Sequence, residues 1–251
     1  MPAPAHPLDV DAVRICASGT YLPVTRTDRP LGLPWRSCTD LLTVPGALDA
    51  WNGRIRARLD GTHGRPPHAS VAPTYAMGWY LDAVARTGAT WFGLCERVPD
   101  LSPPALALHE NPGGWPDAIA LTANRFWCLP HDDEASHPDA LVLPDRRALG
   151  LQLVTAVRAH AVLFHAAFTP AVRIGSRQRW GMVDDVLEAA LWAAGGLRND
   201  PAAGQADATA LVGANPTRMR RSCCFAYRLD EALLCTRCPR RLRSRSAHGV
   251  C

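Results

Sequence analysis

The sequence contains no lysine: all 27 of its basic residues are arginines, and against 23 acidic residues they leave a formal net charge of +4. It also lacks a run of about 18 uninterrupted apolar residues, so we expect no membrane span. Residues 1–7 have neither the basic start nor the apolar core of a secretory signal peptide. We therefore expect a cytoplasmic protein, and in that reducing compartment stable disulfides are disfavoured.

Several catalytic motifs are missing as well. The sequence has no serine nucleophile elbow, no phosphate-binding glycine loop and no dinucleotide-binding fingerprint. These absences exclude the enzyme classes that depend on those motifs. A redox enzyme without a nicotinamide or flavin motif must take its electrons from a partner protein or an external reductant.

Cysteine, by contrast, is concentrated near the end of the sequence. Cys223 and Cys224 are adjacent, and after ten intervening residues Cys235 and Cys238 form a C-x-x-C pair followed by Pro239. Buried cysteines scatter with the apolar pattern, so this concentration of thiols indicates disulfides or a shared metal. Adjacent cysteines pair poorly with each other because a vicinal disulfide strains the intervening peptide bond. We therefore predict a metal site on these four cysteines.

The spacing leaves the kind of metal open. Four thiolates suit either tetrahedral zinc or an iron–sulfur cluster. Structural zinc sites usually combine two C-x(2–4)-C pairs around a single ion, and the adjacent Cys223 and Cys224 cannot form such a pair. A two-iron cluster offers two metal atoms and tolerates ligands that diverge. The spacing thus favours a [2Fe–2S] cluster over zinc, with redox-active thiols as a third alternative.

The arrangement C-C-x10-C-x2-C, preceded by arginines and followed by proline, resembles the C-terminal signature of the FhuF-type ferric siderophore reductases. The resemblance is strong over residues 220–239. A weaker similarity covers Arg179-Trp180-Gly181, which corresponds to a Trp-Gly-Asn stretch of that family, although Met182 stands where asparagine is usual. The resemblance implies that the four cysteines hold a [2Fe–2S] cluster that passes one electron to siderophore-bound Fe(III), of hydroxamate type, and releases Fe(II). The implied electron donor is a protein such as a ferredoxin or a flavoprotein.

Candidate substrate contacts lie near the start of a long apolar helix. Trp180 is flanked by Arg177 and Arg179, and an aromatic face beside guanidinium groups suits a planar or chelated ligand. We assign Arg173, Arg179 and Trp180 to the substrate, with its pocket expected between the helical half of the chain and the cysteine segment. No acid–base residue is assigned, because electron transfer alone loosens a ferric complex.

Arginines crowd around the cysteines, namely Arg218, Arg220, Arg221, Arg228, Arg237, Arg240, Arg241, Arg243 and Arg245. They are either a solvated basic tail or groups that offset the negative charge of a thiolate-bound cluster and attract acidic partners. We expect no nucleic-acid binding, because no interleaved aromatic residues or known motif accompany the patch. Two alternative functions remain: a zinc-stabilised structural or binding protein, and an iron–sulfur electron relay or sensor.

The pattern of apolar residues predicts an α+β fold, with a small antiparallel sheet and helices in the N-terminal half and a helical C-terminal half that ends in a cluster-binding loop. We expect a mixed region over 1–140, a helical region over 141–214 and a cluster-binding segment over 215–251. Helices are predicted at 45–61, 73–88, 146–168, 176–195 and 207–214. Strands are predicted at 13–16, 90–95, 105–109 and 118–129, with a turn at 111–114 between the last two.

The remaining candidate ligands are expected to be structural. Cys16, Cys38, Cys95 and Cys128 lie in or beside apolar stretches, which indicates burial in the core. His160 lies on the apolar stripe of its helix and is expected to be a core histidine. Residues 131–139 contain two histidines and four carboxylates without a fixed ligand spacing, so we expect a solvated loop there.

Overall fold

The computed structural model describes residues 5–29, 31–64, 66–214, 219–229 and 234–241. Within these residues the helices are α1 (Pro7–Ala17), α2 (Cys38–Thr43), α3 (Ala47–His63), α4 (Val71–Cys95), α5 (Arg146–Ala167), α6 (Ser176–Leu197) and α7 (Pro201–Val212). The strands are β1 (Val24–Arg26), β2 (Trp35–Ser37), β3 (Val98–Pro99), β4 (Leu106–Glu110), β5 (Pro116–Leu121), β6 (Phe126–Cys128) and β7 (Ala140–Val142). The predicted α+β class with a helical C-terminal half is confirmed.

The strands form two small sheets. The first has the order β1-β5-β4-β2, in which β4 is antiparallel to both β5 and β2, while β1 pairs with β5 in parallel. The second has the order β3-β6-β7, with β6 antiparallel to β3 and parallel to β7. The β4–β5 hairpin confirms the predicted turn at 111–114. Gly114 has φ 86° in that turn, a left-handed conformation that glycine adopts without steric cost.

Helix α4 lies at the centre of the hydrophobic core, and 17 of its 25 residues are buried. It packs closely along α6, because a Cβ atom on Gly93 would lie only 2.8 Å from the Cβ of Ala194. On another side it meets α5, where a Cβ on Gly88 would lie 2.4 Å from Cδ1 of Leu153. One core therefore contains residues from both the 1–140 and the 141–214 ranges.

Two strand predictions are wrong. Residues 90–95 are the last turns of α4, which continues past Gly88 instead of ending there. The cost of a glycine inside a helix is only about 1 kcal/mol, and the close packing of α5 on Gly88 outweighs it. Residues 13–16, predicted as an edge strand, belong to α1, whose N-terminus is capped by His6.

The other helix predictions are confirmed with shifted ends. The regions 45–61 and 146–168 correspond to α3 and α5. Helix α6 continues beyond Gly195 to Leu197, since Gly195 is a packing residue: a Cβ there would lie 2.6 Å from the Cα of Gly204 on α7. Helix α7 begins earlier than predicted, at Pro201.

Helix α5 is the one helix of the described residues that is long and apolar enough to cross a membrane. Of its apolar 18-residue stretch, 44% is buried inside the fold. Its buried face includes Leu149, Leu153, Val157 and Phe164. A core helix of a globular fold has the same length and composition.

Candidate metal centre and adjoining cavity

One face of α6 carries the polar side chains that hold the cysteine segment. Gln178, Asp185 and Glu188 follow one another at intervals of seven and three residues, which places them on one side of a helix. Asp185 is 3% exposed and Glu188 is 1% exposed. Buried polar groups require hydrogen-bond partners, and these two find theirs largely in residues 220–237.

Asp185 anchors the residues that precede the cysteine pair. Its Oδ1 accepts the N–H of Arg221 at 2.7 Å, and its Oδ2 accepts the N–H and the hydroxyl of Ser222 at 2.9 and 2.5 Å. The guanidinium of Arg220 adds an ion pair at 3.3 Å. Ser222 is fully buried. The carboxylate therefore fixes the path of the chain immediately before Cys223.

Gln178 holds the backbone of the first cysteine. The N–H of Cys223 donates to Oε1 of Gln178 at 3.0 Å, and Nε2 of Gln178 donates to the carbonyl of Cys223 at 2.5 Å. One turn further along α6, a Cβ on Gly181 would lie 3.2 Å from the carbonyl carbon of Arg221. The glycine that the sequence singled out next to Trp180 thus allows the cysteine segment to lie directly on the helix.

Further contacts join the two halves of the cysteine segment. Glu188 pairs with Arg221 at 3.3 Å and with Arg237 at 2.8 Å. The N–H of Arg220 donates to the carbonyl of Arg237 at 3.0 Å. Helix α6 and these arginines therefore bring the stretch around Cys223 and the stretch around Cys235 side by side.

The four thiols lie close enough to influence one another's pKa values. Cys238 is 2% exposed, the other three are half-buried, and the N–H of Cys238 donates to the carbonyl of Cys235 at 3.1 Å. Burial, together with the hydrogen-bonded neighbour Cys224 and with Cys238, raises the pKa of Cys235 to about 12. Burial also raises the pKa of Cys223, and Cys224 and Cys238 contribute to that rise. Neighbouring thiolates repel one another, and a bound cation removes that repulsion.

The separation of the thiols bears on the kind of metal. With Zn–S bonds of ~2.3 Å, every pair of sulfur atoms in a tetrahedral zinc site lies about 3.8 Å apart. Within the described residues, no three of the cysteine sulfurs lie within 4.8 Å of one another. A [2Fe–2S] cluster divides its four thiolates between two iron atoms and spreads them more widely. Four thiolates suit either metal, so the choice of a [2Fe–2S] cluster over zinc stays a prediction.

A cavity of about 300 Å³ adjoins the thiols, with Cys224 and Cys235 in its wall. This volume is at the lower end of the range for small-molecule sites. The opposite wall comes from α4, where Tyr75 and Trp79 lie one helical turn apart with ring centroids separated by 5.3 Å. A larger cavity of about 650 Å³ lies between α2, β2 and β4, and no cysteine lines it. We assign the candidate site to the smaller cavity because Cys224 and Cys235 line it.

The residues assigned to the substrate from sequence do not line this cavity. Arg179 donates to three backbone carbonyls at the end of α5 and just beyond it, at 2.8–3.1 Å. Trp180 is 38% exposed and packs edge-on against His165 at 5.1 Å. Arg173 is exposed. Their role as substrate contacts stays a prediction, and Tyr75 and Trp79 are better placed for it.

The sequence did not predict Tyr75 and Trp79 as residues of the site. Tyr75 and Trp79 precede the cysteines by more than half of the chain, and only the packing of α4 on α6 brings them to the site. Their spacing of four residues on a helix was the one available signal. Met182, noted as a departure from the family pattern, is 1% exposed, and its sulfur accepts an N–H of Arg220 at 2.9 Å.

Of the four isolated cysteines that were predicted to be buried, two are buried and two are not. Cys38 and Cys128 are fully buried, which confirms their prediction. Cys95 is half-buried, and Cys16 is exposed. The prediction for Cys16 is wrong because residues 13–16 form part of a helix, which turns this side chain outward, rather than a strand.

His160 is a core histidine, as predicted, and is 1% exposed. Its ring lies 2.6 Å from the carbonyl of Leu101 and 2.7 Å from the Tyr80 hydroxyl. Since the carbonyl only accepts, Nδ1 donates to it and Nε2 accepts from the hydroxyl. Burial lowers the pKa of His160 to about 4, so the ring is neutral at pH 7.

No protein-family model matches the chain, and no curated protein matches it significantly. The resemblance of residues 220–239 to the FhuF-type signature is therefore a local one that depends on four cysteines and their surroundings. A function for the chain must therefore be inferred from the geometry of the site, in which Cys224 and Cys235 line a cavity.

Proposed function

We propose that the protein is a ferric siderophore reductase in which Cys223, Cys224, Cys235 and Cys238 hold a [2Fe–2S] cluster. The observation that carries this proposal is the position of Cys224 and Cys235 in the wall of a cavity. A metal site that only stabilises the fold needs no adjoining cavity, whereas a redox site must let its substrate approach. When bound, such a cluster accepts and donates one electron at a time.

The chemistry of the substrate explains why one electron is sufficient. Siderophores hold iron through hard oxygen ligands, which bind Fe(III) far more tightly than Fe(II). One-electron reduction therefore loosens the complex and releases Fe(II). Protons from water neutralise the freed ligand oxygens, and the reaction requires no general acid or base from the protein.

The charges around the cavity favour a neutral chelate. Arg220 is paired with Asp185, and Arg237 is paired with Glu188, so the wall carries no large excess of either sign. A ferric trihydroxamate is neutral at its centre, because three hydroxamates cancel the charge of Fe(III). Such a ligand can lie against the aromatic faces of the α4 wall without burying an unpaired charge.

The electron donor is expected to dock from outside the cavity. Arg228 and Arg240 are exposed next to the cysteines, and Arg240 is close enough to oppose the rise in the pKa of Cys223. Exposed guanidinium groups attract an acidic partner. A cytoplasmic ferredoxin or flavoprotein has the required charge and redox chemistry, and no motif for a nicotinamide or flavin of the protein's own is present in the sequence.

The proposal is tested by visible and electron-paramagnetic-resonance spectra of anaerobically purified protein, before and after dithionite and then after addition of a ferric hydroxamate. We expect visible absorption and a rhombic signal that appears on reduction and disappears when the ferric complex is added. A colourless, silent protein with one zinc ion would instead establish the zinc-stabilised structural alternative. A reducible cluster that does not react with ferric chelates would establish an electron relay or sensor.

The ligand assignment has its own test. Cys223→Ser or Cys235→Ser should abolish both the visible absorption and the reduction of ferric hydroxamate, because serine is a poor ligand for iron–sulfur clusters. Cys95→Ser and Cys128→Ala, which change thiols outside the segment, are the controls and should keep the spectrum. Retained reduction in Cys235→Ser would refute the assignment, and a lost spectrum in Cys95→Ser would mean that other thiols bind the metal.

A further inference from the structure

A second group of ligand side chains converges where the N-terminus of α1 meets the loop between β6 and β7. One nitrogen each of His6 and His137 and a carboxylate oxygen of Asp139 lie within 4.8 Å of one another. Oδ2 of Asp139 is 3.4 Å from Nε2 of His6 and 3.8 Å from Nδ1 of His137. The two rings meet edge-on, with centroids 4.8 Å apart. The sequence predicted residues 131–139 to be a solvated loop, and the fold brings His6 to two of them.

His6 distinguishes this group from an ordinary solvated cluster. Its side chain is only 10% exposed, and its ring packs edge-on against Phe126 at 6.1 Å. Nδ1 accepts the N–H of Leu8 at 3.1 Å, whereas the buried Nε2 has only the 3.4 Å ion-pair contact with Oδ2 of Asp139 and no well-formed hydrogen bond. A buried polar atom without a well-formed hydrogen bond needs an explanation, and a bound ion supplies one.

We propose that His6, His137 and Asp139 form a binding site for a divalent transition metal such as Zn²⁺, which fastens the start of α1 to the loop before β7. Two imidazoles and one carboxylate suit zinc, nickel, copper or ferrous iron, whereas magnesium and calcium prefer sites made of oxygen ligands. The carboxylate side chain of Asp139 is 38% exposed, so water can reach the ion and complete a tetrahedral shell.

The charge states around the site are compatible with a cation. The guanidinium of Arg26 lies close enough to His6 to act on it electrostatically. The positive charge of Arg26 is itself offset by ion pairs with Asp9 at 2.9 Å and Asp28 at 2.7 Å. The carboxylate of Asp139 supplies negative charge directly at the site.

Metal binding requires one proton to move on His6. A neutral ring that accepts the Leu8 N–H at Nδ1 carries its proton on Nε2. Coordination through Nε2 transfers that proton to Nδ1 and exchanges the capping hydrogen bond for a metal–nitrogen bond. His137 keeps its tautomer if it coordinates through Nδ1, but the lone pair of that atom then gives up the N–H of Asp139, which it accepts at 3.1 Å. The change of tautomer at His6 is a signature that binding elsewhere on the chain would not produce.

The test is a titration of the full chain with Zn²⁺, followed by two-dimensional ¹H–¹⁵N spectra of the histidine side chains. These spectra identify each histidine, so zinc taken up by the cysteines does not confuse the result. We expect Nε2 of His6 to become metal-bound and its proton to move to Nδ1, with His137 shifted in parallel. His131 lies in the same loop with its side chain 72% exposed and should not change. Resonances of His6 and His137 that stay unmoved at millimolar zinc, or a shift of His137 alone, would overturn the proposal.

Affinity and thermal stability give a second readout. His137→Ala should weaken zinc binding by at least about tenfold, the cost of losing even an outer-shell partner. Zinc should raise Tm in the unchanged protein and in the control His131→Ala, and the increase should be smaller in His137→Ala, where only the cysteines remain to bind zinc. His137 is the position to change because its side chain is 22% exposed, so its loss does not disturb the core as a change at His6 would. An equal increase in both variants would refute the site.

Discussion

Asp185→Asn tests whether the buried carboxylate on α6 holds the cysteine segment in place. Oδ1 accepts one backbone N–H, and Oδ2 accepts a second backbone N–H together with the Ser222 hydroxyl. Asparagine keeps only one acceptor oxygen, and its amide nitrogen then faces a donor to which it cannot bond. The substitution also removes the negative partner of Arg220.

The expected loss is about 3–5 kcal/mol in the free energy that docks the segment. A hydrogen bond to a charged group contributes ~1.5–3 kcal/mol, and a buried donor left unpaired costs ~1–3 kcal/mol. The side chain of Arg220 is 21% exposed, so solvent screening leaves its ion pair only a small share of this total. A loss of this size corresponds to an increase of about 10²-fold or more in local opening of residues 220–224.

Hydrogen exchange of the backbone amides of residues 220–224 measures this opening directly, with urea unfolding as the global readout. Asp184→Asn is the matched control, since this neighbouring carboxylate pairs with Arg158 at the surface at 2.9 Å. It should change stability by less than about 0.5 kcal/mol. Equal exchange rates in the two variants would refute the anchoring role of Asp185, whatever metal the cysteines hold.

Two further predictions concern the core. Gly88→Ala should destabilise the protein by about 1–3 kcal/mol in urea unfolding, because the new Cβ would lie 2.4 Å from Leu153. The control Gly53→Ala on α3 meets open space and should stabilise the protein by about 0.5–1 kcal/mol. If both substitutions stabilised the protein, the close packing at Gly88 would be contradicted. Between pH 6.5 and 4 the unfolded chain binds a proton at His160 that the folded protein excludes, so stability falls as the pH falls. His160→Gln should make this dependence shallower by up to about 1.4 kcal/mol per pH unit, and an unchanged slope in urea unfolding across this range would contradict a neutral buried ring.

Local signals account for the parts of the fold that the sequence predicted correctly. Helix α5 has apolar residues at helical spacing and a proline soon after its end, and both are properties of neighbouring residues. Residues 90–95 were mispredicted because a short apolar run looks the same in a buried strand and in a buried helix. Only the contact of Gly88 and Gly93 with α5 and α6 decides in favour of the helix.

The residues of the candidate site also fall into two groups, those that local sequence predicts and those that only the packing of helices brings together. Cysteine spacing within one short segment predicts Cys223, Cys224, Cys235 and Cys238 as metal ligands, because thiols that are close in the chain can converge without help from distant elements; their metal binding stays a prediction. The side chains that position them and the cavity beside them come from distant helices, so their role depends on which helix faces pack together.

The sequence by itself thus determined the fold class and the main helices, and it predicted the group of four thiols, since periodicity and spacing are local properties. Only the tertiary structure placed Asp185 and Gln178 under the cysteines, Tyr75 and Trp79 across the cavity, and His6 beside Asp139. The physical reason is that burial and hydrogen bonding select these contacts from many possible pairings of distant residues. These contacts produce no periodic pattern in the sequence from which they could be predicted.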